Sequence, residues 1–337
     1  MNPFSYARAA DLDQAVREGA AEGARFIAGG TNLLDLMKEN VERPRRLIDI
    51  NGLPLDRIEE TPGGGLRIGA LVRNADLAAD ARLRARYPLL CSALLAGASP
   101  QLRNMATTGG NLMQRTRCYY FYDVATPCNK RRPGSGCGAV GGVTRIHAIL
   151  GASAQCIATH PSDMCVALAA LEARVHVLGP GGPRSMAFAD FHRLPGDTPQ
   201  LDNNLTPGEL ITGVELPPEG FSRHHSYLKI RDRAAYAFAL VSVAAALRME
   251  GGRIAAARVA LGGVAHKPWR RPDAEQALAG APANPETFTA FASVLLEGAQ
   301  GQGDNDFKIV LARRAIVRAL TQAAHGTPQS QTDKRIA

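Results

Sequence analysis

The sequence predicts an α+β fold in two units, and three observations lead there. Short strand-like runs alternate with short apolar helical stretches and never settle into a long series of βαβ repeats. A break falls near "ELPPEGFSRHH" (215–225), where a strand pattern ends in prolines. Beyond it, aliphatic runs separated by a double glycine read as a meander backed by helices. The expected division is a unit at 1–220 made of two subdomains, a smaller α+β unit at 221–325, and a disordered polar tail at 326–337.

Each element has a local reason. A helix is expected from Asp11, with Gln14 three residues on as a capping-box partner. "ARFIAGGTNLLDLMKEN" reads as a strand at Arg25–Ala28, a glycine turn, and a helix with Leu33, Leu34 and Met37 on its apolar side. "RLIDING" (46–52) is a strand ending in a turn, and "TPGGGLRIGALV" is a hairpin turn feeding another strand. "YPLLCSALLAGAS" (87–99) is an apolar helix. "HPSDMCVALAALEARVHVLGPGG" is a capped helix, a strand and a turn, and "ELITGVELP" is a strand. The sheets are expected to be short and mixed.

Composition narrows the function classes. The 45% hydrophobic and 21% charged content suit a globular chain, and the longest apolar run, "AYAFALVSVAAAL" (235–247), falls short of a membrane span. No basic region precedes an apolar run at the N-terminus, so no signal peptide is expected. The net charge of +8 is scattered over the chain with few aromatics between, which points to an anionic cofactor and not to nucleic acid. Six cysteines are present, and a chain without a signal peptide is expected to fold where structural disulfides are uncommon.

Two glycine turns are candidate anion sites. "IAGGTN" (27–32) leaves a strand and enters a helix, so its amides face whatever lies in front of them, with Thr31 and Asn32 able to add side-chain bonds. "ATTGGNLMQ" (106–114) supplies a second turn through Thr107, Thr108, Gly109, Gly110 and Asn111. Together they are able to clamp the two halves of a diphosphate. Neither fits a Rossmann or P-loop pattern.

The motifs "FIAGGTNLLDLMK", "LIDINGL", "LRIGALV", "QLRNMATTGGNL", "THPSDMCVALAALEA" and "YLKIRDRAAYAFALVSVAAAL", in this order, resemble the flavin-binding subunits of molybdenum hydroxylases from Phe4 to about residue 325. The resemblance implies a two-part FAD-binding domain of the vanillyl-alcohol-oxidase (PCMH) type and a C-terminal domain of the CO dehydrogenase flavoprotein type. It implies that Arg25, Phe26, Ile27, Ala28, Gly29, Gly30, Thr31, Asn32 and Leu33 hold the FAD diphosphate, largely through backbone amides. Thr107, Thr108, Gly110 and Asn111 would line its other side. Asp163 would contact the cofactor or share a helix N-cap with Ser162, and Lys229 would stand near the isoalloxazine as a cation favouring reduced flavin.

Between "GGNL" and "HPSD" lies a long irregular segment, 113–159, with Cys118, Cys128, Cys137 and Cys156 separated by nine, eight and eighteen residues. Four cysteines suit zinc as well as iron–sulfur, although no paired zinc knuckle occurs, and disulfides remain open. The segment is similar to the insertion in the flavin and iron–sulfur subunits of periplasmic aldehyde oxidoreductases and of 4-hydroxybenzoyl-CoA reductases, closest to the former, which implies a [4Fe–4S] cluster on these four thiolates. Lys130, Arg131 and Arg132 would offset its charge. Cys91 and Cys165 read as buried packing residues, and His147 and His160 are not expected to be ligands.

The resemblance therefore implies an electron-transfer subunit of a heterotrimeric aldehyde oxidoreductase, with no catalytic side chain of its own for carbonyl chemistry. Its partners would be a large molybdenum-cofactor subunit, a small [2Fe–2S] subunit and an external electron acceptor. The cluster is expected to brace its loop more than to relay electrons. Assembly is expected in the cytoplasm, with a periplasmic end point if a partner carries the export signal. A reductase running electrons toward molybdenum and a self-contained flavin oxidase are the rival readings.

Overall fold

The structure is a computed structural model and describes residues 1–234 and 236–331. The N-terminal subdomain is a three-stranded parallel sheet of β1 (Ser5–Arg8), β2 (Ala24–Ile27) and β3 (Arg46–Asp49) in the order β1-β3-β2. The helix Leu12–Gly19 starts as expected, because Asp11 accepts the Gln14 amide at 2.7 Å. Gln14 returns its side chain to Ala10 N, one residue short of a capping box. The second helix is Leu33–Lys38, and its buried residues are Leu36 and Met37, with Leu33 and Leu34 half-exposed beside the glycine loop.

A second subdomain carries β4 (Ile58–Glu60), β5 (Leu66–Gly69), β6 (Arg174–Gly179), β7 (Gly182–Ala187) and β8 (Leu210–Leu216) in the order β4-β5-β8-β6-β7, wholly antiparallel. The third sheet is antiparallel too, β12-β11-β10-β9, from β9 (His225–Ile230), β10 (Val241–Glu250), β11 (Arg253–Gly262) and β12 (Trp269–Arg270). The expected mixed sheets are thus one parallel and two antiparallel ones. Each connection decides the sense: the crossovers from β1 to β2 to β3 pass through helices, whereas hairpins join β4–β5, β6–β7 and β10–β11.

The break near 215–225 is not a loose hinge. Along β10, Ala244 and Ala246 join the core of the first unit, and Val241, Val243, Ala245 and Leu247 join the core under the helices Pro285–Leu295 and Phe307–His325. A strand buried on both faces reads as one continuous apolar run, which is why "ALVSVAAAL" shows no alternation. The alanines let the helices Pro88–Ala96 and Asp163–Ala170 approach the sheet closely, and both helices are apolar nearly all round because they lie inside.

Residues 326–331 of the expected disordered tail run back against the body, where Gln331 donates to Tyr227 O at 3.0 Å; residues 332–337 lie outside the described residues. Among the described residues, no helix is long and apolar enough to cross a membrane.

Candidate functional site

The parallel sheet places the first glycine loop at the carboxyl end of β2, beside the end of β3. That edge is where open parallel sheets receive ligands. Asn51, just past β3, donates to Ala28 O at 3.0 Å, and Arg73 links Asn51 to Met105 O. Gly30 has φ +70°, and a Cβ on Gly29 would lie 1.9 Å from Met105 O, so both glycines are required by this backbone path. Among the described residues, the amides of Gly29, Gly30, Thr31, Asn32 and Leu33 donate to no protein acceptor, and the Thr31 hydroxyl has no partner. Consecutive unpaired amides in a tight loop form an anion cradle, and their chemistry fits a diphosphate. Asn51 and Arg73 also line a cleft of about 590 Å³ together with Asp56, Asp76 and Asp80, and the loop residues 27–33 are not part of its lining. Arg25 and Phe26 do not belong to the cradle. They sit in the β2 ladder opposite Leu47 and Ile48, and the Arg25 side chain turns toward Glu42.

The second glycine turn is a wall, not a mirror image of the first. It forms the short helix Thr108–Leu112, and its amides are already paired: Thr108 N to Val72 O, Gly109 N to Ala70 O, Gly110 N to Thr107 Oγ1 and Asn111 N to Thr107 O. The expected lining of the other side by Thr107–Asn111 therefore has no free amide at 108–111 to offer. What the turn offers is Gly110 O, which accepts from Asn32, and the Asn111 side chain, bonded to Ser162.

Ser162 alone caps the 163–170 helix, accepting from Cys165 N at 3.0 Å. Asp163 is freed for a buried network, accepting from Tyr227 Oη at 2.7 Å and from Lys229 Nζ at 2.7 Å, with Lys229 also bonded to Ala96 O. The Asp163 and Lys229 side chains are 6% and 3% exposed, so the pair is nearly dry. The structure thus unites two residues that stand 66 positions apart. The positive charge expected at Lys229 is thus matched at contact distance by Asp163. Burial, and then the neighbouring Asp163 charge, push the Tyr227 hydroxyl well above its ordinary range, so it stays a donor.

In the segment 113–159, Cys118, Cys128 and Cys156 are buried and Cys137 packs against the same core cluster, which also holds Leu36, Phe121 and Ile157. Cys128 and Cys137 face each other across a single antiparallel bridge. All six cysteines are free, so no disulfide forms. Among the described residues, the sulfurs do not form a set with all ligand atoms within 4.8 Å. One tetrahedral zinc would need sulfurs about 3.8 Å apart, from a Zn–S bond of about 2.3 Å. Four cysteine sulfurs packed in one buried cluster are a donor set of the kind that holds an iron–sulfur centre. Burial pushes the Cys118 thiol up to about 12 and Cys156 up to about 11, so thiolates form there only with a compensating metal.

Burial dominates at Cys156, but the Lys130 charge favours its thiolate as expected, and Lys130 and Arg131 also bond elsewhere. Arg131 donates to Tyr120 O, Phe121 O and Thr126 O, tying the loop to itself. Lys130, with a side chain 1% exposed, bonds Pro199 O and Asp202. Burial works against ionisation of Asp202, but Arg115 and Lys130 override it and hold the carboxyl well below its usual range. Arg117, next to Cys118, donates to Asn32 and reaches Asp35 at 3.1 Å, so the sulfur pocket and the glycine loop are joined through one side chain.

His160, Cys165 and His192 bring ligand atoms together within 4.8 Å. Their tautomers argue against a metal. His160 Nδ1 accepts from Ser162 N, which leaves the proton on Nε2, and His192 Nε2 donates to Leu112 O, which leaves a lone pair on Nδ1. The two remaining nitrogens, His160 Nε2 and His192 Nδ1, are buried without a hydrogen-bond partner, with ring centres 4.3 Å apart. Cys165 is a packing residue as expected.

Sequence reasoning missed Tyr227, Arg117 and Arg115, and it named His147 only as a residue not expected to be a ligand. Tyr227 was open to inference, since it shares a strand face with Lys229 two residues away. The others carry no pattern.

This equipment defines a flavin-dinucleotide protein of the α+β type. Residues 2–219 match the FAD binding domain in molybdopterin dehydrogenase, and residues 226–323 match the CO dehydrogenase flavoprotein C-terminal domain. The chain belongs to the FAD-binding medium subunits of the molybdenum hydroxylase family, which are oxidoreductase components. It is 55% identical to the aldehyde oxidoreductase FAD-binding subunit PaoB of Escherichia coli K12, over 96% of this chain and 99% of that relative. It is 30% identical to the glyceraldehyde dehydrogenase medium chain of Sulfolobus acidocaldarius, over 95% of this chain and 96% of the other. Among solved structures, carbon monoxide dehydrogenase from Hydrogenophaga pseudoflava lacking the Mo-pyranopterin moiety superposes with a TM-score of 0.75 at 26% identity, covering 97% of this chain and 99% of that one.

Proposed function

We propose that this chain is the FAD- and [4Fe–4S]-carrying subunit of a heterotrimeric, molybdenum-dependent aldehyde oxidoreductase. In this reading it receives electrons from a [2Fe–2S] subunit, themselves drawn from aldehyde oxidation on a large molybdenum subunit, and passes them to an external acceptor. The observation that carries the reading is the 55% identity to an aldehyde oxidoreductase FAD-binding subunit over nearly the full length of both chains. The sulfur pocket beside the glycine loop supports the cluster. Co-export to the periplasm with a signal-bearing partner is part of the proposal.

The geometry supports the following roles for the chain's own residues. The 29–33 amides would hold the diphosphate by hydrogen bonds, Asn32 donates to Gly110 O across the loop entrance, and the Asp163–Lys229–Tyr227 network supplies a buried polar wall. FAD, when bound, supplies the exchange between paired and single electrons. Cys118, Cys128, Cys137 and Cys156 would hold the cluster, and in doing so give the irregular segment its core.

The test is cofactor analysis of the complex, purified anaerobically after co-expression with its partners. The expected content is one FAD and about four iron atoms per chain, with negligible zinc. Cys128→Ser is expected to lose the iron and keep the FAD. Iron-free wild-type complex would end the cluster assignment, and aldehyde turnover by this chain alone would end the subunit assignment.

A further inference from the structure

His147 lies between the sulfur pocket and the C-terminal domain, and neither the cofactor loop nor the cysteine pattern accounts for it. Its ring is 1% exposed, and Nε2 stands 3.1 Å from Cys118 Sγ. The residue is held from outside its own segment. His147 O accepts from Asn305 Nδ2 at 3.0 Å and from Lys308 Nζ at 2.7 Å, and both donors are 0% exposed. Lys308 also bonds Gly263 O, and Asn305 is itself fixed by accepting from Gln302 N. Three residues before the histidine, Thr144 exchanges hydrogen bonds with Gln302 O and Asp304 N. The loop 302–308 therefore grips the backbone on both sides of position 147 and sets where the imidazole stands.

The chemistry of the contact has one consistent form. A metal-bound thiolate has lone pairs and no proton, so a nitrogen this close to it must be the donor. Nε2 then carries the hydrogen. Nδ1 is the bare nitrogen, buried with no partner. An N–H aimed at a ligand sulfur draws electron density away from the metal–sulfur unit and stabilises its reduced state, which raises the reduction potential.

We propose that His147 donates a hydrogen bond to the Cys118 sulfur and thereby sets the reduction potential of the cluster, with Asn305 and Lys308 of the C-terminal domain as its positioning residues. The inference rests on the iron–sulfur reading of the four cysteines. It gives the C-terminal domain a part in tuning a centre held by the N-terminal one.

The experiment compares anaerobically purified complex carrying wild-type chain, His147→Leu or His147→Gln. Iron and flavin are counted, and the reduced-cluster electron paramagnetic resonance signal is titrated against potential. His147→Leu is expected to shift the cluster midpoint to a more negative value with iron retained, and His147→Gln, which keeps an N–H donor, to recover part of the shift. Asn305→Ala is expected to move the midpoint in the same direction by a smaller amount. An unchanged midpoint in His147→Leu with full iron overturns the proposal. Should His147→Leu not retain iron, pulsed resonance of wild-type complex grown on ¹⁵N-histidine decides. A histidine-nitrogen coupling to the cluster supports the proposal, and its absence overturns it. Iron-free wild-type complex is a separate result, one that removes the underlying cluster reading.

Discussion

At the scale of single residues, the buried pair Asp163–Lys229 is the strongest local commitment in the molecule. Taking two charges out of water is repaid only while both are present, so removing either leaves a buried charge alone. Asp163→Asn and Lys229→Met are each expected to destabilise the chain by about 3–5 kcal/mol. The double variant is expected to cost much less than their sum. Urea unfolding of the four proteins of this cycle checks it, and additive costs would show that the two side chains are not coupled. Gly29→Ala tests the loop instead. Its new Cβ meets a backbone carbonyl at 1.9 Å, so the loop must move, and flavin retention is expected to fall while far-ultraviolet circular dichroism stays unchanged. Both sites were legible as residue types in order along the chain, the loop from its glycines and the pair from its motifs. That Asp163 and Lys229 neutralise each other was not legible, because contact between positions 66 apart depends on how a helix and a sheet pack.

At the scale of elements, the segment 113–159 has almost no regular structure and is held by point contacts. Arg115 bridges Glu42 and Asp202, and Lys130 adds a second cation to Asp202. Because the folded Asp202 carboxyl is held below its unfolded value, its contribution is full above about pH 4 and is lost as pH falls further. Asp202→Ala strands a buried lysine. It is expected to cost about 3 kcal/mol or more at pH 7 and to expose the segment to limited proteolysis at rates well above wild type. Regular elements were far easier to read than this one. Ser162 and Asp11 announce their helices, and Pro62 with the glycines at 63–65 announces a hairpin. The 33–38 helix was misjudged on its buried face, since a six-residue helix offers too few turns for periodicity to choose.

At the scale of the whole molecule, burial decides the response to acid. It lowers His147 and His192 to about 4 and His266 to about 3. The unfolded chain therefore takes up protons first, near pH 6.5, and stability falls as pH drops from there toward 4. The urea midpoint is expected to be lower at pH 5 than at pH 7.5. His266, with both ring nitrogens buried and unpartnered, is the cleanest probe. His266→Leu is expected to reduce the loss at pH 5 by about 2 kcal/mol. An unaltered pH slope in that variant would show that the ring is protonated in the folded protein.

Sequence alone determined the chain's α+β character, the order of its strands and helices, the position of the glycine loop and the four cysteines of the long segment, because these depend on neighbours within a few residues. Only the tertiary structure decided which contacts matter. It made the second glycine turn a self-satisfied wall, balanced Lys229 against Asp163, turned Arg131 toward carbonyls and Lys130 toward Asp202, and set a histidine against Cys118. The physical reason is burial, which leads most polar groups inside to find a partner, often one that lies far away along the chain.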